Sequence, residues 1–264
     1  MPEKLPTFFI PHGGGPCFFM ESNPPGIWDK LAEWLRGMAA ALDREPQAIV
    51  AISGHWEDDE FSVMGNANPP LLFDYYGFPE HTYKLTYPAP GSPELAQRVS
   101  ALLAGAGMGV RTDTQRGFDH GVFVPFKLMF PEARIPVIQL SLKSGLDPAT
   151  HIAVGHALRP LREEGVLIVG SGMSYHNLRG FFSGSQGTAD SFDEWLTAAA
   201  CSAPAQREQR LAAWSTAPCA RLAHPREEHL LPLMVAAGAA GDDVGQRIFN
   251  DRIMGELISA YRFG

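Results

Sequence analysis

The sequence is short of cysteine, of positive charge and of long apolar runs, and each shortage removes a class of protein. Its three cysteines, Cys17, Cys201 and Cys219, form neither an even framework nor a C-x-x-C pair. That argues against a disulfide scaffold and for a reducing, cytoplasmic setting. Lys and Arg number 21 against 29 Asp and Glu, a formal charge of −8. A chain that grips a phosphate backbone needs the opposite balance, so nucleic acid is not an expected partner. No apolar run reaches the roughly 18–20 residues of a membrane span, so no membrane partner is expected either. The apolar stretch from Phe8 to Pro11 is too short for the core of a secretion signal. Neither a G-x-x-x-x-G-K-[ST] loop nor an H-E-x-x-H helix motif is present. Gly170-Ser171-Gly172 fails as a dinucleotide fingerprint because Tyr175 occupies its sixth position. What remains is globular: 264 residues, 45% hydrophobic and 19% charged, enough for one large core.

Periodicity then organises the chain. Thr7–Ile10, Ala48–Ile52, Pro136–Leu142 and Val166–Val169 are short apolar runs and read as buried strands. Gly26–Leu42 spaces Ile27, Leu31, Trp34, Leu35, Met38 and Leu42 as one face of an amphipathic helix. Ser92–Leu103 opens on a capping serine with Glu94 just inside, a helix start. Pro148–Glu163, Asp193–Cys201 and Arg226–Ala237 also read as helical, Phe182–Thr188 as a loop, and the tail Ile253–Phe263 as a strand. Strands alternating with helices predict an α/β fold: one domain over residues 1–264, with a mainly parallel or mixed central sheet and helices on both faces.

Nine histidines are the feature that needs explaining. His12 follows the first predicted strand, His55 the second, and His176 lies beyond Val169 behind a Gly-Ser-Gly turn. In a parallel sheet the carboxyl ends of the strands share one edge, where such folds build their sites. Histidines far apart in sequence can therefore converge. His120 in Gly117-Phe118-Asp119-His120-Gly121 and His229 in Glu227-Glu228-His229-Leu230-Leu231-Pro232 stand just ahead of apolar runs, where an element terminus can aim a side chain into a cleft. Neutral imidazole ligates Zn, Fe, Cu or Ni, and it serves as a general base near neutral pH. His81, His151, His156 and His224 read as surface or structural; on a helix His151 and His156 fall about 140° apart and share no face.

His12-Gly13-Gly14-Gly15 has the form of an esterase oxyanion loop, but the matching elbow Gly172-Met173-Ser174-Tyr175-His176 ends in His where Gly is required. An esterase with Ser174 as nucleophile is thus an outsider. The set PHGGGP, SGHW, YPAPGSPELAQR, GFDHG, PVIQLSL, SYHNLR and EEHLLPL, in this order from Pro6 to Leu233, resembles the class III extradiol ring-cleavage dioxygenase superfamily. The resemblance is to its 4,5-DOPA dioxygenase-like branch.

The resemblance implies a catalytic α/β domain with one divalent non-haem metal per chain at the strand carboxyl ends. Fe(II) would serve activity, and Zn(II) is compatible with the protein as isolated. The small-molecule partners would be a catecholic aromatic and O₂, whose two atoms both enter the opened ring. His12, His55 and His229 fall at metal-ligand positions, with Glu228 as an alternative oxygen donor beside His229. His176 falls at the position of the proton-transfer base, which ligates in zinc-loaded relatives, and His120 at that of a histidine near substrate and dioxygen. Glu57, Asp119 and Asn177 adjoin these residues and are candidates to orient them. Arg116, Lys127 and Arg179 are candidate cations for an acidic substrate; Trp56, Phe118 and Tyr175 are candidate ring walls, although core packing explains them equally. No substrate-binding residue is fixed by the sequence. A zinc-dependent hydrolase on the same histidines and a non-catalytic metal-binding relative are the competing readings, and an acidic chain of this size is compatible with a homodimer.

Overall fold

Short β-branched and aromatic runs supply eight strands to one mixed sheet in the computed structural model, which describes residues 4–183 and 188–264. In chain order the strands are β1 (Thr7–Pro11), β2 (Ala48–Asp58), β3 (Phe61–Met64), β4 (Val110–Asp113), β5 (Val137–Lys143), β6 (Val166–Gly172), β7 (Gly245–Ile253) and β8 (Glu256–Phe263). They lie in the order β4-β3-β5-β2-β6-β1-β8-β7. The central four, β5, β2, β6 and β1, are parallel; β8 and β3 join them antiparallel on the two sides. The helices are α1 (Asp29–Gly37), α2 (Pro93–Gly105), α3 (His120–Met129), α4 (Pro148–Leu158), α5 (Leu178–Ser183), α6 (Thr188–Ala200), α7 (Pro204–Ala212), α8 (Ala220–Ala223) and α9 (Leu231–Ala240). Among the described residues no helix is long and apolar enough to cross a membrane.

Three successive residues of β6 show how both sheet faces are covered. A Cβ on Gly170 would collide with the carbonyl of Pro232 in the first turn of α9, and one on Gly172 with that of His229 just ahead of it. Ser171, between them, donates its hydroxyl proton to the Gly121 carbonyl in α3. Alternate strand residues point to opposite faces, so α9 and α3 lie on opposite sides. The fold is the expected single-domain α/β architecture.

Several boundaries depart from the sequence reading for local reasons. The helix expected over Pro148–Glu163 stops at Leu158 and tightens into a 3₁₀ turn, Arg159–Arg162, because Pro160 brings no N–H to an α-helical ladder. The stretch expected over Gly26–Leu42 divides at Met38 into α1 and a 3₁₀ turn, Ala39–Ala41. The helix expected from Arg226 begins only at Leu231, with Pro232 in its first turn, where proline is best tolerated. His229 therefore sits in a turn ahead of the helix. The tail forms β8 as expected, paired with β7 as well as β1. Residues 184–187 of the expected loop lie outside the described residues, while Phe182 and Ser183 end α5 and Thr188 begins α6. β3, β4, β7, α3, α5, α7 and α8 had no sequence expectation.

The α4–α9 crossing is set by backbone. A Cβ on Gly155 would meet the Val235 carbonyl, and one on Gly238 would meet that of Ile152, so the two helices touch main chain to main chain. Gly155→Ala should therefore force them apart and lower unfolding stability by about 1–3 kcal/mol, read from denaturant midpoints. A gain in stability would show that the contact yields.

His224 is fully buried between Phe192 and Trp214, with ring centroids at 5.3 and 5.9 Å, and its Nε2 donates to the Ser174 carbonyl at 2.9 Å. Burial pushes its pKa down from 6.5 to about 4, against the pull of that hydrogen bond. The native ring thus refuses a proton that the unfolded chain accepts. Its contribution is complete above pH 6.5 and drains as pH falls towards 4, by at most about 3 kcal/mol. Urea midpoints measured across this window should fall less steeply in His224→Asn than in the parent.

Candidate metal centre

Each histidine that reaches the centre is pinned by backbone at the carboxyl edge of the sheet. His12 follows β1, and its N–H donates to the Gly172 carbonyl of β6 at 3.1 Å; Met173 N–H donates to the His229 carbonyl at 3.0 Å. His176 N–H donates to Ala223 at 3.0 Å, and His120 is the first residue of α3. His55 gets there by an irregularity. Against β5, β2 pairs Ile52 with Leu140 and Glu57 with Leu142, so it spends five residue steps (57 − 52) where β5 spends two (142 − 140). Such bulges re-aim side chains, and His55 lies inside this one. Ser53-Gly54 has the composition of a turn, yet the strand runs on through it and only its pairing with β5 is interrupted.

The imidazoles meet tip to tip. His55 Nε2 stands 3.2 Å from His12 Nε2 and 3.1 Å from His229 Nε2. His120 lies beside His55 with ring centroids 3.9 Å apart. His176 stacks on His229 at 3.5 Å and an interplanar angle of 17°. Two groups of three have donor atoms close enough to share an ion: His12, His55 and His120, and His176, Glu228 and His229.

Hydrogen bonds on the outer side decide which nitrogens carry protons. Ser171 gives its only hydroxyl proton to the Gly121 carbonyl, so its Oγ accepts from His12 Nδ1 at 3.0 Å. Glu228 Oε1 accepts from His229 Nδ1 at 3.0 Å. With Nδ1 protonated, the Nε2 atoms of both rings are bare lone pairs aimed inward. His55 lies between them and, as a neutral ring, could satisfy at most one of the two with its single proton. A cation among the three nitrogens would satisfy all of them. Nitrogens held at about 2.0–2.1 Å from one ion, at angles between octahedral and tetrahedral, stand roughly 2.8–3.4 Å apart. Both separations from His55 Nε2 fall in that range, so these donors fit a divalent metal.

The electrostatics agree with neutral, metal-ready rings. Burial and then the neighbouring imidazoles push His12 well below its ordinary pKa. Burial does the same to His229 despite the Glu228 hydrogen bond, and takes His55 to about 4. Burial works to raise Glu228, but hydrogen bonds from His176 and His229 outweigh it and hold the carboxyl far below the usual range. Glu228 Oε1 also lies 3.4 Å from His176 Nδ1, so one oxygen serves both rings.

Two orienting residues were not anticipated. Asp74 accepts from His120 Nδ1 at 2.8 Å and from its backbone N–H at 2.9 Å, and lies 3.6 Å from His55 Nδ1. Ser171 positions His12 as above. Asp74 did leave a trace, as a lone carboxylate in the apolar run Leu71–Tyr76; Ser171 was read only as part of a failed nucleotide motif. Of the residues that adjacency suggested, Glu57 pairs with Arg226, and Asn177 accepts from the N–H groups of Arg179 and Gly180 within α5. Asp119 accepts from Ser53 Oγ at 2.8 Å, and that oxygen accepts from His55 N–H at 3.1 Å, so it steadies the bulge. Ser174, the nucleophile an esterase would need, is buried and accepts from Ser259 N–H at 2.8 Å.

A cavity of about 400 Å³ opens over the cluster, lined by His12, His55, His120, His176 and His229 together with the Gly13–Gly15 backbone. Gly15 has a left-handed φ of +54° and packs where a Cβ would strike the Phe78 ring, so only glycine leaves this wall open. His81, His151, His156 and His224 do not line it. Trp56, Phe118 and Tyr175 are core residues; the aromatic walls are Trp28, Phe78 and Phe181.

Known proteins resemble the chain over nearly its whole length. A plant protein named 4,5-DOPA dioxygenase extradiol, from Beta vulgaris, is 41% identical, with 97% of this chain and 96% of the relative aligned. A protein named Dioxygenase tasH, from Hapsidospora irregularis, is 38% identical over 98% of this chain and 85% of its own length. A crystal structure of an uncharacterized Escherichia coli K12 protein superposes with a TM-score of 0.81 at 32% identity, covering 99% of this chain and all of that one. Residues 6–264 match the family described as the catalytic LigB subunit of aromatic ring-opening dioxygenase, and the chain belongs to that family.

Proposed function

We propose that the chain, as a single catalytic domain over residues 1–264 in the cytoplasm, is an Fe(II)-dependent extradiol dioxygenase that opens a catecholic ring with both atoms of O₂. The observation that carries this reading is the approach of His12 and His229 Nε2 to within 3.1–3.2 Å of His55 Nε2 beneath a cavity with two further histidines on its wall. These three nitrogens would hold the metal. In this assignment His229, not Glu228, is the ligand, because the Glu228 carboxylate faces the two Nδ1 atoms. Bound Fe(II) with open coordination positions would supply the electron exchange that lets triplet O₂ react with a singlet catechol; zinc would bind the same imidazoles without a redox change.

The protein's own residues handle the protons. His176 has its Nδ1 directed to Glu228, which leaves Nε2 to take the proton of a catechol hydroxyl. The same carboxylate then faces the imidazolium that forms, and the proton can be returned later. We assign His176 this base role in preference to that of a fourth ligand, because it lies flat against His229. His120, its Nδ1 held by Asp74, offers Nε2 as hydrogen-bond partner to a bound oxygen. A hydrolase would instead need a free carboxylate base, and Glu228 is engaged by His176, His229 and Arg226.

Anaerobic reconstitution with Fe(II), addition of a catechol panel and admission of O₂ should give stoichiometric O₂ uptake and a coloured ring-fission product. The zinc-loaded protein should fold and leave O₂ untouched; uptake by the zinc form would defeat the redox assignment. Elemental analysis should find metal absent from His12→Ala and His55→Ala. His176→Ala should keep its metal and lose roughly 10²–10⁴-fold in turnover. Full turnover in that variant would remove His176 from the proton transfer.

A further inference from the structure

The cavity is divided by chemistry. Its floor is imidazole and its remaining side-chain walls are Trp28, Phe78, Met173, Leu178, Phe181 and Met254. Among the described residues no Lys, Arg, Asp or Glu lines it, and the stretch 182–188 contains none in its sequence. The carboxylates nearest the floor stand behind the imidazoles and are engaged by them: Asp74 by His120, and Glu228 by His229 and His176. The basic candidates do not line it either. Arg116 pairs with buried Asp119 at 3.0 Å and lies over Trp56, 4.5 Å from the ring centroid. Lys127 donates to the Thr86 carbonyl at 2.8 Å, and Arg179 is outside the lining.

Volume leaves room for more than a ring. A cavity of about 150 Å³ holds one benzene, whereas this one measures about 400 Å³. A catechol seated with its hydroxyls on the imidazoles must therefore send any ring substituent against apolar walls. We propose, resting on the ring-opening reading above, that this site selects catechols with a neutral, apolar substituent and disfavours those bearing an ammonium or a carboxylate. A charged substituent would lose its hydration and gain no partner, while each buried methylene of a neutral chain tightens binding about fourfold. The selectivity resides in the substituent walls and leaves the proton-transfer residues unchanged. Met254, at the tip of the β7–β8 hairpin with a left-handed φ of 51°, closes one side. Leu178, 61% exposed, marks the mouth.

The test is equilibrium binding to the zinc-loaded protein, by calorimetry, alongside O₂ uptake by the Fe(II) form. The ligands are 4-propylcatechol, 3-(3,4-dihydroxyphenyl)propionate and 3,4-dihydroxyphenylalanine. The neutral ligand should bind at least tenfold more tightly than either charged one and show the same order in kcat/KM. Leu178→Arg should narrow or reverse the gap for the propionate alone. Equal or tighter binding of a charged ligand to the parent protein overturns the proposal. Preference for the neutral ligand in binding, with no catechol consumed by the Fe(II) form, upholds the cavity's selectivity and defeats the ring-opening reading.

Discussion

Three imidazole nitrogens, on His12, His55 and His229, stand within 3.1–3.2 Å along the chain of contacts with His55 between the other two. Two of these nitrogens are stripped of protons by what lies behind them. Ser171 has no hydroxyl proton left to give His12, and Glu228 can only accept from His229. Inward-facing lone pairs at such separations repel. The sheet, the bulge in β2 and the late start of α9 all serve to hold this arrangement in place. A cation among the three nitrogens would turn that repulsion into ligation.

The remaining groups divide their work around that centre. Glu228 touches a proposed ligand and the proposed base through one oxygen, so the orientation of one ring is tied to that of the other. Asp74 does the same between His120 and, at longer reach, His55. Polar chemistry is thus confined to the floor and its backing carboxylates. The upper cavity is aromatic and aliphatic, and contributes shape and dryness.

Much of this was legible because it follows periodicity. The four parallel strands are short apolar runs, and glycine-bearing turns after them announced His12, His55 and His176. Sequence order could bring these residues to one edge but could not say which nitrogen faces which. That depends on Ser171 and Asp74, residues whose types are unremarkable and whose partners lie 159 and 46 positions away. Nor could alternation reveal the bulge: Ser53-Gly54 has the composition of a turn, and only pairing with β5 shows the strand continuing. The cavity walls were misplaced for a related reason. Trp56, Phe118 and Tyr175 neighbour the histidines in sequence, and neighbours on extended or helical backbone point away from one another. Trp28, at the start of α1, Phe78, in a bend, and Phe181, in α5, reach the cavity from outside the histidine motifs.

The first strand of the chain lies between β6 and β8, pairing Thr7 with Ile168 on one side and with Phe263 on the other. During synthesis β1 therefore has both edges satisfied only once β6 and β8, far later in the sequence, have been made. The same timing governs the histidines, since His12 cannot meet His229 until α9 has seated over β6. A nascent chain that stops short of His229 would present His12 and His55 without their third imidazole, and would hold a cation poorly.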